Sequence, residues 1–178
     1  LGAWAGTGVA MTQVDATHWT KSIYIPEAAE LAFKFTRGSW DTVMKGEDGN
    51  TELSDLTLVY TADGAQEYNY TVLNWRDPIV TAVVPANGAV DVAVDTSVAV
   101  TWNQSVAAGS CFTLTDGVNP VAGSCAYDDA TRTITFTPSA PLTGLTAYTV
   151  NVTGVLDTEV TPITQQVPFS STFTTVGP

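Results

Sequence analysis

Val98-Ala99-Val100-Thr101-Trp102 and, further on, Thr133-Ile134-Thr135-Phe136-Thr137 share one pattern: every second residue is large and apolar, and those between are small or hydroxylated. Successive side chains on a strand point to opposite faces, so this alternation buries one face and wets the other. No convincing amphipathic helix occurs anywhere in the chain. Working outward, Ile79–Val84 leads into the turn Pro85-Ala86-Asn87-Gly88, and further strands are expected at Cys111–Leu114, Val121–Tyr127, Tyr148–Val152 and Ser171–Thr175. Some seven strands separated by turns over about 100 residues predict an antiparallel β-sandwich.

The residues before this region read as a second all-β unit. Trp19–Ile25 alternates, with Pro26-Glu27-Ala28-Ala29 as a turn. Leu31–Thr36 alternates again, with Leu31, Phe33 and Phe35 inward and Lys34 outward. Leu56, Leu58 and Tyr60 mark another strand, and Tyr68–Trp75 the last. Composition changes at Asn74-Trp75-Arg76-Asp77-Pro78: lysine vanishes and Val, Thr, Ala and Pro take over. The expected fold is therefore all-β, two tandem antiparallel sandwiches spanning 1–77 and 78–178. So short a junction predicts domains that pack or hold a limited range of angles.

The 178 residues carry 6 basic and 18 acidic side chains, a net charge of −12. Both halves share the acidity, so composition and not charge separates them. Such a surface repels phosphate backbones and anionic membranes, which excludes nucleic acid as a partner, and leaves neutral polysaccharides unaffected. No apolar run is long enough to span a membrane. The ends at Leu1-Gly2 and Gly177-Pro178 read as cut edges of a longer secreted polypeptide.

Cys111 and Cys125 flank the turn Asp116-Gly117-Val118-Asn119-Pro120. They are either a disulfide closing a hairpin or two unrelated buried thiols, and the extracellular character of the chain favours the disulfide. Asn69, Asn103 and Asn151 stand in Asn-x-Ser/Thr sequons, which are frequent by chance in a Thr-rich chain. Asp48-Gly49-Asn50-Thr51-Glu52 offers alternate oxygen ligands that a structural calcium could use, with an ordinary Asp-Gly turn as the rival reading. No other cofactor is expected. One histidine, His18, is too few for a metal centre. Serine-hydrolase, zinc-protease and phosphate-loop motifs do not occur, and Asp128-Asp129 lies at a turn. Glycoside hydrolysis needs two facing carboxylates in a cleft, which small sandwiches rarely form. The chain reads as noncatalytic.

Trp4 and Trp40 bracket the strand Phe33-Lys34-Phe35-Thr36-Arg37 and lie outside any hydrophobic run. Two readings stand side by side. Both indoles belong to a small core, or both offer flat faces to the apolar side of a pyranose, with Lys34 as a hydrogen-bond donor.

Two resemblances bear on this choice. Residues 78–178 resemble the bacterial Ig-like domain of the S-layer (SbsA-like) type. The resemblance is carried by Val84-Pro85-Ala86-Asn87-Gly88-Ala89-Val90-Asp91-Val92, Val98–Trp102, Phe112-Thr113-Leu114, Thr133–Pro138, Ala147–Val152 and Ser171–Thr175. It implies a spacer or interaction module without catalytic residues. Residues 1–77 resemble the starch-binding modules of family 20. Here the shared residues are Leu1-Gly2-Ala3-Trp4, Met11-Thr12, Trp19, Ile23-Tyr24-Ile25-Pro26, Phe33–Trp40 and Asn74-Trp75-Arg76-Asp77. That resemblance implies one sugar site on Trp4, Lys34 and Trp40, with Trp19 in the core. The family usually has Asn-Arg, its Asn holding sugar, where this chain has Asp55-Leu56, so Asp55 is a possible additional contact. The family also begins earlier, with a strand before the Leu-Gly turn, which predicts an open strand edge here.

The implied function is a noncatalytic module that binds α-glucan of the starch or glycogen type, with an Ig-like spacer, in a larger secreted or cell-surface protein. The alternative is a structural subunit or stalk segment of an extracellular surface layer or filament, whose sugar site is vestigial. Expected partners are an α-glucan polysaccharide and other domains or copies of the same protein.

Overall fold

A computed structural model describes residues 4–26, 29–60 and 64–177. The turn expected at Glu27-Ala28 and the Leu1-Gly2-Ala3 part of the starch-module motif lie outside the described residues. The chain divides into two compact units, Leu1–Arg76 and Asp77–Pro178. The described residues are almost all β or irregular, with a single 3-10 turn at Trp40–Thr42.

The first unit holds β1 (Thr12–Gln13), β2 (Trp19–Thr20), β3 (Glu30–Phe33), β4 (Met44–Lys45), β5 (Leu56–Val59) and β6 (Asn74–Trp75). They form three two-stranded antiparallel ladders, β1–β2, β3–β5 and β4–β6. Asp15 closes the first ladder: its Oδ1 accepts the backbone N–H of Thr17 at 2.8 Å and of His18 at 2.9 Å. The bonds from the Thr17 amide, the His18 ring and the Thr17 hydroxyl hold its carboxyl down at about 2. Beyond β3 the chain continues a hairpin, with Thr36 bridged to Val43 and the Met44 amide donating to the Phe35 carbonyl.

Two expectations fail here. The strands expected at Trp19–Ile25 and Tyr68–Trp75 are realised only at Trp19–Thr20 and Asn74–Trp75. Trp19, expected in the core, is 50% exposed. The common cause is a small interior. Among the described residues Val43 and Met44 are the buried apolar side chains of this unit, while Phe33, Phe35 and Tyr70 make a half-covered ring cluster with centroids 5.3–6.0 Å apart. A two-residue ladder cannot cover an indole, so Trp19 stays wet, as do Tyr24 and Leu73.

The second unit holds β7 (Val80–Val84), β8 (Ala89–Val92), β9 (Val98–Trp102), β10 (Thr113–Thr115), β11 (Gly123–Asp128), β12 (Thr133–Pro138), β13 (Ala147–Val152) and β14 (Phe169–Thr175). Two four-stranded sheets, in the orders β11-β12-β9-β7 and β10-β13-β14-β8, face each other. Alternation is obeyed along every central strand. Val98, Val100 and Trp102 of β9, Ile134 and Phe136 of β12, Tyr148, Val150 and Val152 of β13 and Phe173 of β14 form the core. Each fully buried side chain of this kind stabilises by about 1.5–3 kcal/mol relative to exposure.

β8 is a strand beyond the seven expected, and it is parallel to β14 whereas all other pairs are antiparallel. The Ala86-Asn87-Gly88 turn carries the chain from the β9 sheet to the β14 sheet. Gly88 adopts φ +78, open to glycine at little cost, and donates to the Thr172 carbonyl at 2.7 Å. Asn87 Oδ1 accepts the Thr172 amide at 3.0 Å. Asn103, a sequon residue, is buried: its side chain takes the Ile79 amide at 2.7 Å and donates to the Asp77 carbonyl at 3.2 Å.

Cys111 and Cys125 are disulfide-bonded, with Cα atoms 5.6 Å apart. The bridge does not close a hairpin between two ladder-paired strands, as the spacing suggested. The turn is present, with the Asp116 amide donating to the Asn119 carbonyl and Val121 to Leu114. Past it the arms part into different sheets, so the bridge ties the segment before β10 to β11 and staples the sandwich. At Gly123 a Cβ would sit 2.4 Å from the Phe136 ring, so the first residue of β11 must be glycine for β11 to lie against β12. Closing a loop of this length stabilises by roughly 3 kcal/mol in the chain-entropy model. Unreduced, denatured protein should therefore show no reactive thiol, and Cys111→Ser/Cys125→Ser should lower the unfolding midpoint of the second unit in denaturant titration.

Candidate functional site

The tip of the hairpin that follows β3 is fixed by one hydroxyl. Thr42 Oγ1 accepts the amides of Arg37 at 3.1 Å and Ser39 at 3.3 Å, and donates to the Ser39 carbonyl at 3.0 Å. Gly38, at φ +109, supplies the left-handed step that turns the chain. Trp40 thus opens the 3-10 turn in a set backbone geometry, with its carbonyl accepting the Val43 amide.

A separate segment brings up the partner indole. Thr36 Oγ1 donates to the Gly6 carbonyl at 2.6 Å. A Cβ on Gly6 would lie 2.7 Å from the Trp40 amide nitrogen and 3.0 Å from the Ser39 carbonyl carbon, so the two backbones touch. This contact sets Trp4 beside Trp40, with ring centroids 6.0 Å apart and planes inclined by 31°. Trp4 is 56% and Trp40 38% exposed. Two neighbouring indoles, both wet, make an apolar platform of the kind that stacks on sugar rings. The core reading of these two tryptophans is overturned by their exposure.

Lys34 stands differently from the expectation that it points outward. Its side chain is 11% exposed and its ammonium is paired with Glu52, with Asp55 Oδ1 at 3.7 Å. Lys45, 7% exposed, donates to the other oxygen of the same carboxylate at 2.8 Å and to the Asn50 carbonyl at 3.4 Å. Hydrogen bonds from Lys34 and Lys45 hold the Glu52 carboxyl at about 2, well below its ordinary 4.5. Lys34 and Asp55 therefore meet each other in a cluster centred on Glu52, a residue the sequence reading had weighed only as a calcium ligand. Its signal, two lysines at facing positions on one hairpin, appears only once the register is known.

The Asp48–Glu52 loop is a hydrogen-bonded turn. Asp48 Oδ1 accepts the amides of Asn50 at 3.0 Å and Thr51 at 2.8 Å, and Oδ2 the Thr51 hydroxyl at 2.7 Å, which holds its carboxyl at about 2. Asp48 is thus committed to the turn and Glu52 to the two lysines, as the ordinary-turn reading expects. Among the described residues no three His, Cys, Asp or Glu side chains converge to hold a metal. On the far flank, Arg37 lies over the Trp75 ring at 5.3 Å, and Arg76 is 4.0 Å from Asp41.

The second unit, with its two facing four-stranded sheets, defines an immunoglobulin-like sandwich. Residues 75–175 match the family described as bacterial Ig-like domain, and the chain belongs to that family. Two curated relatives are amylopullulanases. That of Thermoanaerobacterium thermosulfurigenes is 32% identical over 96 residues, 52% of this chain and 5% of the relative. That of Thermoanaerobacter thermohydrosulfuricus is 32% identical over 75 residues, 42% of this chain and 5% of the relative. The chain thus spans a small part of the length of the relatives it matches. Among solved structures, it is similar to the methionine-rich copper resistance protein PcoC from Escherichia coli, with TM-score 0.42 and 17% identity over 56% of this chain and 98% of that one. It is also similar to domains 1–6 of surface layer protein SbsC, with TM-score 0.41 and 22% identity over 57% of this chain and 14% of that one.

Two outcomes follow from the site geometry. Gly6→Ala should separate Trp4 from Trp40 by forcing the two backbones apart, read as altered near-ultraviolet circular dichroism with the second unit's unfolding unchanged. Glu52, with its carboxyl depressed on folding, stabilises above its ordinary 4.5, and that contribution is lost as pH falls from 4.5 through about 2. Asp15 and Asp48 titrate in the same window, so the measurement is a difference: the acid-induced fall in the first unit's melting temperature should be shallower in Glu52→Gln than in the parent.

Proposed function

We propose that residues 1–77 are a noncatalytic α-glucan-binding module and residues 78–178 an Ig-like spacer, within a larger glycan-active protein that acts outside the cell. The observation that carries this reading is the Trp4–Trp40 pair, exposed and held at 6.0 Å by the Gly6–Trp40 backbone contact. Three lines support it. The pair coincides with two of the three positions that the starch-module resemblance marks for sugar. The named relatives are amylopullulanases. The net charge of −12 suits a neutral polysaccharide and not a polyanion. Lys34, the third position, contributes through its ion pairs as well as through any donation to sugar.

A structural role in a surface layer or filament draws support from a different observation. Trp19, Tyr24 and Leu73 leave apolar surface uncovered on the first unit, and short ladders leave strand edges open. Size-exclusion chromatography separates the two readings, since only the second requires ordered self-association.

In a native gel containing soluble starch or glycogen, the chain should be retarded relative to a gel without polysaccharide. Trp4→Ala and Trp40→Ala should each weaken glucan binding by about 1–3 kcal/mol, measured by calorimetry, with the fold retained. Unretarded migration of the parent chain would overturn the glucan reading.

A further inference from the structure

Thr36 is bridged to Val43 in the hairpin that carries Trp40 at its tip. This register sets Lys34 opposite Lys45, and side chains two residues along from a facing pair lie on the same side of the ladder. Two like charges facing each other across a hairpin push its arms apart. Both ammonium-bearing side chains are nearly covered, at 11% and 7% exposure, so water screens them poorly. Glu52 takes hydrogen bonds from both, through Oε1 from Lys34 and Oε2 from Lys45. Glu52 itself stays 61% exposed and touches the hairpin only through these bonds among those described.

We propose that Glu52 is a positioning residue for the Trp4–Trp40 platform: its carboxylate bridges the facing Lys34–Lys45 pair and offsets one of their two charges, with Asp55 Oδ1 3.7 Å from Lys34 beside the other, and thereby holds the hairpin whose tip presents Trp40 to Trp4. The mechanical link is short. Lys34 and Thr36 lie on one arm, and Thr36 also anchors Gly6 through its hydroxyl. Spreading the arms at Lys34 and Lys45 therefore disturbs both the Trp40 turn and the Thr36–Gly6 bond that seats Trp4. The glucan part of this inference rests on the function proposed above; the geometric part does not.

The test uses the full chain and two readouts. Paired indoles at this distance give an exciton couplet in far-ultraviolet circular dichroism, and Trp4→Phe defines its complete loss. Glu52→Gln, which keeps the shape and removes the charge, should diminish the couplet and weaken maltoheptaose binding roughly tenfold. Glu52→Gln/Lys45→Met removes one of the two like charges and should restore much of both. An unchanged couplet in Glu52→Gln overturns the proposal. So does weakened binding with the couplet intact, because Glu52 then touches the sugar directly. If Glu52→Gln fails to fold, the double variant decides: a couplet present supports the charge argument, and its absence refutes it. If the parent chain binds no glucan, the couplet series still judges the positioning role, and only the glucan function falls.

Discussion

Burial of every second side chain on β9, β12, β13 and β14 is the constraint on which the second unit depends. Val98, Val100, Ile134, Val150 and Val152 have no accessible surface at all. A one-residue slip in any central strand would move its apolar set to the outside, so register and sheet order are strongly specified. What remains is trimming at the margins. Arg132, the one basic residue of this half, donates to the Asn103 carbonyl at 2.6 Å. Thr175, in the last strand, donates to the Thr143 carbonyl at 2.6 Å. The disulfide adds a covalent tie between the segment preceding β10, the shortest strand of this unit, and β11.

The first unit has no equivalent constraint. With Val43 and Met44 as its buried apolar side chains among the described residues, hydrophobic burial alone does little to specify where its segments lie. Directional contacts take over. Thr42 organises the Trp40 turn, Thr36 fastens the segment around Gly6, Asp15 and Asp48 close turns, and Glu52 bridges two lysines. Each depends on one or two atoms at short range. Local order of this kind is precise at each contact and weak between contacts, which is why the ladders are two to four residues long.

The same contrast explains what could be read from the chain beforehand. In the second unit, alternation signals burial directly, so Val98–Trp102 and Thr133–Pro138 were legible as central strands. β8 was not, because Ala89-Val90-Asp91-Val92 follows a turn motif and its parallel partner, β14, lies at the far end of the sequence. The cysteine pairing was legible, but not that its arms part into separate sheets, since sheet order is a long-range property. In the first unit, alternation over Trp19–Ile25 and Tyr68–Trp75 implied strands that lack the partners to form. Trp4 and Trp40 were legible as a pair through the starch-module resemblance, whereas Lys34 was misjudged. Whether a lysine points outward depends on the carboxylates near it, and Glu52 reaches it from across an intervening turn.

That a weakly cored unit should carry the exposed indoles has a physical logic. In the proposed glucan-binding role the two indoles keep apolar surface in water, as exposed patches at interaction sites do. Here the two rings are held out by backbone features that make no use of their own burial: the glycine contact at Gly6 and the hydroxyl cap at Thr42. The position of Trp40 is therefore set by atoms that a bound ring would not displace. Stacking would add buried area to a geometry that already exists, so little ordering entropy is lost on binding. The cost is local fragility. Because only a small core backs these contacts, a single methyl at Gly6 or a single lost charge at Glu52 acts on the platform directly, while the sandwich built on β9, β12, β13 and β14 has its own reasons to stay folded.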